Sequence, residues 1–167
     1  MPGIAHASSR WDQARGAIVV VATAAGEAPS SPDAVRAFLD ARRDVSVPLE
    51  LRGPKPLTIE LAVGVEPDPA YLTELVKNAV REALYGDDPD APGMFTFAAR
   101  ALGQPAFLSE VYARLEAVEG VVGVQITRFT DDAAEPVKSV ITAGVDEWLR
   151  LVPHDLGLST VAPGGAP

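Results

Sequence analysis

The clearest pattern in the chain is strict alternation. Leu57, Ile59, Leu61, Val63 and Val65 alternate with Thr58, Glu60, Ala62, Gly64 and Glu66. Side chains along a strand point to opposite faces in turn, so this run predicts a strand with one buried face. Val47, Leu49 and Leu51 alternate in the same way with Pro48, Glu50 and Arg52. Proline cannot donate to a ladder, so Pro48 places that strand near a sheet edge. Gly53-Pro54 turns the chain between the two. Val122, Val124 and Ile126 predict a further long strand, and Ala17 to Ala22 (AIVVVA) is a continuous run of the kind a central strand carries.

Helical spacing lies between these strands. Ser31-Pro32-Asp33 opens one helix, with Ser31 as cap, Pro32 at the first helical position and Asp33 near the positive helix end. Val35, Phe38 and Leu39 form its apolar stripe, and Arg42 and Arg43 suit its C-terminal end. Asp68-Pro69 opens a second helix by the same device. Leu72, Leu75, Val76, Ala79, Val80, Ala83 and Leu84 recur at spacings of three and four and predict its inward face, and Gly86 ends it. Ser109 predicts the cap of a third helix with Val111, Tyr112, Leu115 and Val118 inward, and Gly120 its left-handed stop.

The remaining stretches are less patterned. Asp87 to Gly93 (DDPDAPG) is a loop by composition, and Phe95-Thr96-Phe97 reads as a short strand. After Thr130 the pattern weakens into a polar loop, 131–136, and a short strand within Val137 to Ile141. The predicted order is β-α-β-β-α, then an inserted loop and helix, then β. This is the order of a ferredoxin-like split βαβ unit, so the expected fold class is α+β with helices mainly on one sheet face. It predicts an α+β domain over 1–130, a C-terminal extension over 131–161 packed on it or on a partner, and a flexible tail over 162–167.

Composition narrows the function classes. Apolar residues make up 47% of the 167 residues, enough for one domain with a core. The formal charge of −9 argues against a nucleic-acid surface, which needs clustered Lys and Arg. No apolar run approaches the roughly 20 residues a membrane helix needs. Without cysteine, disulfides, thiol nucleophiles and Cys-ligated zinc are excluded. The start of the chain lacks a basic segment followed by an apolar one, so a cytoplasmic location is the default.

The residues that could carry chemistry have simpler accounts. His6 and His154 are the only histidines, and neither has metal-ligand spacing; His154 precedes Asp155, which could orient an imidazole. Asp87, Asp88 and Asp90 suggest an oxygen-rich loop, but Pro89 and Pro92 interrupt it and no bidentate Glu follows. No Gly-x-Ser-x-Gly, Gly-x-Gly-x-x-Gly or P-loop pattern occurs. The reading is of a non-enzyme with no cofactor, no metal and no catalytic residue. Trp11, Phe95, Phe97, Phe107 and Trp148 are the interface candidates, since buried aromatics anchor many interfaces; packing within the chain is the competing account of each.

Three stretches carry a family resemblance. Val47 to Pro54 with the alternating run to Glu66, then Tyr71 to Leu84, resemble the sequence before and within the penultimate helix of the baseplate J-like proteins. Ala101 to Val111 (ALGQPAFLSEV) and Val118-Glu119-Gly120-Val121 are similar to that family's Leu-Gly step, Leu-Ser helix start and Pro-Gly-Val helix exit. Glu119 stands where the family usually has proline. The resemblance implies a structural subunit, or a domain of one, in the baseplate wedge of a contractile phage tail or phage-tail-like injection system. It implies wedge and hub proteins as partners, with self-association as a further option, and a route from cytoplasmic assembly to the finished particle. Pro2-Gly3-Ile4-Ala5-His6-Ala7 echoes Glu119-Gly120-Val121-Val122-Gly123-Val124, which predicts a shortened protein or an excised domain. The alternative function is a small-molecule-binding regulatory domain on a ferredoxin-like sheet, by analogy of fold.

Overall fold

The computed structural model describes residues 4–24, 32–132 and 134–160. Among these residues it is an α+β arrangement of three helices and eight strands. In the first sheet β1 (Ile4–Asp12) and β2 (Ala17–Ala24) form an antiparallel hairpin. The helix α1 (Pro32–Asp40) follows, and β3 (Leu49–Arg52) then pairs with β2 in parallel. Pro32 takes the first helical position as expected; the cap assigned to Ser31 lies outside the described residues. Beyond Asp40 the chain is closed by Arg43, whose guanidinium bonds Asp40 at 2.6 Å and also reaches the Val47 carbonyl. Pro48 precedes the edge strand β3, as its missing donor requires.

The second sheet has β4 (Lys55–Pro67) at its centre. The helix α2 (Thr73–Tyr85), the two-residue β5 (Ala106–Phe107) and α3 (Leu108–Glu116) follow in the chain. Then come β6 (Val121–Thr130), β7 (Val140–Ile141) and β8 (Glu147–Thr160). β6 is antiparallel to β4, and β8 runs parallel along the other side of β4. Ile59, Leu61, Val63 and Val65 are buried on one face of β4, as the alternation predicts. They share one core with Val76, Val80 and Leu84 of α2, Val111 and Leu115 of α3, and Phe129, Ile141 and Leu149. Each such aliphatic burial is worth roughly 1.5–3 kcal/mol. Ala17, Val19 and Val21 of β2 and Val35 of α1 are buried outside that cluster.

This pairing does not confirm the ferredoxin-like order. The four strands it drew on divide between two sheets, β2 with β3 and β4 with β6. Gly53-Pro54 carries the chain from one sheet into the other instead of folding β4 back on β3. The place beside β4 goes to β8, at the chain's other end. β8 lies in the segment read as an extension after 131, and it is hydrogen-bonded along the length of β4. The register jumps from Ile59 opposite Leu151 to Leu61 opposite Leu156, so residues 152–155 face Glu60 as an irregularity. The flexible tail assigned to 162–167 lies outside the described residues.

Two helix starts also differ from expectation. α2 begins at Thr73, because the Asp68 carboxylate turns inward on its own local loop. It accepts from the Ala70 N–H at 2.8 Å, and the Asp68 carbonyl takes the Tyr71 N–H at 2.9 Å. α3 begins at Leu108, so Ser109 lies inside the helix, and Glu110 reaches back to the Phe107 N–H at 3.4 Å. Gly120 is left-handed as expected, with φ +83.

Candidate interaction surfaces

The segment between α2 and α3 is fastened to the end of α2 by its backbone. The last turn of a helix leaves carbonyls without partners. Here the Met94 and Phe95 N–H groups take the Ala83 and Leu84 carbonyls at 2.9 and 2.8 Å, and Gly93 N–H closes the acidic loop on the Gly86 carbonyl at 2.8 Å. A Cβ at Gly93 would stand 2.4 Å from the backbone nitrogens of Gly86 and Tyr85, so this closure needs glycine. Phe95-Thr96-Phe97 is therefore a turn and not the expected strand. The Phe95 N–H is used on the helix end, and the Thr96 N–H closes a turn on the Gly93 carbonyl at 3.0 Å.

Phe95 is 3% exposed and belongs to the core. The Arg100 guanidinium lies 5.4 Å from its ring centre. Arg100 is itself only 5% exposed. It donates to the Pro105 carbonyl at 2.5 Å, the Met94 carbonyl at 3.4 Å and the Glu110 carboxylate at 3.4 Å. One cation thus ties both ends of the segment to the start of α3. Arg100 lies in a stretch without apolar period, so no pattern in the chain singles it out.

Phe97 and Trp148 meet. Their rings pack edge to face with centroids 4.9 Å apart, and His6 of β1 stacks tilted on Phe97 at 5.5 Å. His6 Nε2 also lies 2.8 Å from the Phe97 carbonyl, and the Ser8 hydroxyl donates to the Val145 carbonyl at 2.8 Å. This cluster joins the first sheet to the inserted segment and to the start of β8. It gives His6 a packing role; the side chain of His154 lies outside the described residues. Trp11 and Phe107 are not gathered into the cluster. Trp11 on β1 is 57% exposed, and Phe107 at the start of α3 is 44% exposed.

The aspartates of the acidic loop form a turn, with Asp88 accepting the Asp90 N–H at 2.9 Å. Among the described residues no group of three or more His, Cys, Asp or Glu side chains could hold a metal ion. Among them, too, no helix is long and apolar enough to cross a membrane.

A surface that the periodicity concealed lies at the start of α2. Leu72 is 72% and Leu75 62% exposed, although their spacing matches the inward stripe. Only Val76, Val80 and Leu84 of that helix are buried. The apolar positions of α2 cover more than one face, and that width was the available sign. Tyr71, 40% exposed, adjoins them. Its hydroxyl donates to the Glu119 carboxylate at 2.8 Å, which holds the phenol above its ordinary pKa. Asp68 N–H bonds the Gly120 carbonyl at 2.8 Å, so the loop before α2 and the exit from α3 form one unit.

The chain matches no protein-family model, and no curated protein matches it significantly.

Proposed function

We propose that this protein is a structural component of the baseplate wedge in a contractile tail or phage-tail-like injection system, acting by assembly with other wedge and hub chains. The observation that carries the reading is the unit built from the two motifs of the family resemblance. The Gly120 exit and the loop opening the penultimate helix are joined by Asp68 and Tyr71. Large apolar side chains stand exposed around that unit, at Tyr71, Leu72, Leu75 and Val122. Exposed apolar side chains gathered at one place are characteristic of surfaces that bind other proteins. The polar side chains named here already serve the fold: Arg100 holds the insertion, and His6 ties β1 to it at Phe97. The experiment is co-expression with the neighbouring tail genes, followed by purification of particles and quantification of this chain by mass spectrometry. Stoichiometric incorporation is expected. Particles that assemble normally with no copy of it would refute the proposal. Sheath, tube, spike and AAA-ATPase genes are expected to flank its own.

A further inference from the structure

The outward side of the start of α2 carries apolar side chains that the core does not cover. Leu72 is the extended residue just before the first turn, and Leu75 and Ala79, at i and i+4, line one side of the helix beside the buried stripe of Val76, Val80 and Leu84. All three are exposed, and the Tyr71 ring adjoins their N-terminal end. We propose that this stripe docks an amphipathic helix of a different protein chain, one whose apolar stripe is flanked by lysine or arginine. This deepens the assembly reading and rests on it only for the source of the partner.

The apolar spacing selects a helix. Apolar positions at three- and four-residue intervals along a helix accept the ridge of a second helix packed against them. The rim selects its charge. Glu119 holds the Tyr71 hydroxyl, Asp68 anchors the turn that presents Tyr71, and Glu74 directly precedes Leu75. Lys77 offsets Glu74 at 3.1 Å, and Asp68 and Glu119 leave the rim net negative. A second copy of this chain would bring the same carboxylates face to face, on molecules of formal charge −9. Like-charge juxtaposition disfavours that pairing, and a basic-flanked helix removes it. Tyrosine is also one of the residues enriched in binding hot spots.

The test uses two synthetic leucine-striped helices, identical except for lysine or glutamate flanks, and fluorescence anisotropy against the intact chain. The lysine-flanked helix is expected to bind, more weakly as salt rises. The double variant L72S/L75S is expected to lose at least tenfold in affinity, and Glu74→Lys several-fold. Both leucines are largely exposed, so these variants are expected to keep the wild-type circular dichroism. Equal binding of both helices, binding unchanged in L72S/L75S, or no binding of either would overturn the proposal. In assembled particles, a photo-crosslinker at position 75 is expected to capture a basic helical peptide of another chain. Capture of a second copy of this chain would overturn the docking proposal and leave the baseplate reading intact. Particles lacking the chain would do the reverse, because the peptide result stands without them.

Discussion

The edge of one aromatic ring meets the face of the other where Phe97 packs on Trp148, at an interplanar angle of 72°. Phe97 lies in the segment after α2, and Trp148 lies in β8, which pairs with β4. The contact therefore spans a long stretch of chain. Aromatic pairs in this geometry contribute about 0.5–1.5 kcal/mol beyond the area they bury. A double-mutant cycle of F97A and W148A, read by urea denaturation, is expected to show a coupling in that range. Additive losses would mean that the rings merely lie close together.

Gly120 makes the second testable joint. Its φ of +83 is a left-handed conformation, and an added Cβ would stand 2.9 Å from the Tyr71 ring and 3.0 Å from the Val76 methyl. The backbone term alone costs roughly 1–2 kcal/mol for a residue bearing a Cβ. G120A is expected to lose at least that, because Val76 is buried and yields little. Part of the loss is expected to return in the double variant with Y71A, since Tyr71 is exposed and its removal opens one side. Wild-type stability in G120A would contradict this account of the helix exit.

Arg100 separates a structural cation from a surface ion pair. Its guanidinium is buried, whereas the Glu110 side chain is 44% exposed. Solvent screens their attraction, so the pair itself is worth little. The carbonyls of Met94 and Pro105 lose more when the guanidinium goes, as bonds to a charged group contribute about 1.5–3 kcal/mol each to stability. R100A is expected to destabilise by about 3 kcal/mol or more, and E110Q by less than about 1 kcal/mol, in denaturant titrations. Similar losses in the two variants would show that the ion pair is the dominant contribution.

The parts of the fold that were legible in the sequence are those where period and burial coincide. The β4 face of Ile59, Leu61, Val63 and Val65 is legible because one side packs on helices and the other does not. β1 was missed because His6, Ser8, Ser9 and Arg10 carry little β-branched or alternating character; it is held as a strand by pairing with β2 and by His6 and Ser8 reaching across. β8 was missed because Pro153 and Asp155 fall in its four-residue irregularity and break the alternation. Leu72 and Leu75 depart from expectation for the opposite reason: their spacing is correct for a core stripe, but the helix starts only after Leu72, and the neighbouring elements cover the side of Val76, Val80 and Leu84. Of the interface candidates, Phe97 and Trp148 were nameable as anchors, but that they anchor each other is a tertiary fact.

Two hydrogen bonds bear on stability on the alkaline side. Glu119 accepts from the Tyr71 hydroxyl, and this bond, reinforced by the negative charges of Glu119 and Asp68, raises the phenol above 10.0. Asp131 accepts from the Lys138 ammonium at 2.5 Å and raises it above 10.5. In both cases the fold favours the protonated form. The contribution is therefore fully present below the unfolded values and is lost as pH rises through the higher folded ones. Stability is expected to be flat with respect to these two groups at neutral pH and to fall only in the alkaline range. Ultraviolet titration of the phenols is expected to show one tyrosine ionising late, and E119Q is expected to bring it back toward the ordinary value by removing the charged acceptor. Wild-type and E119Q titrations that superimpose would show that Tyr71 does not rely on Glu119, and would take away the tie between the opening of α2 and the exit from α3.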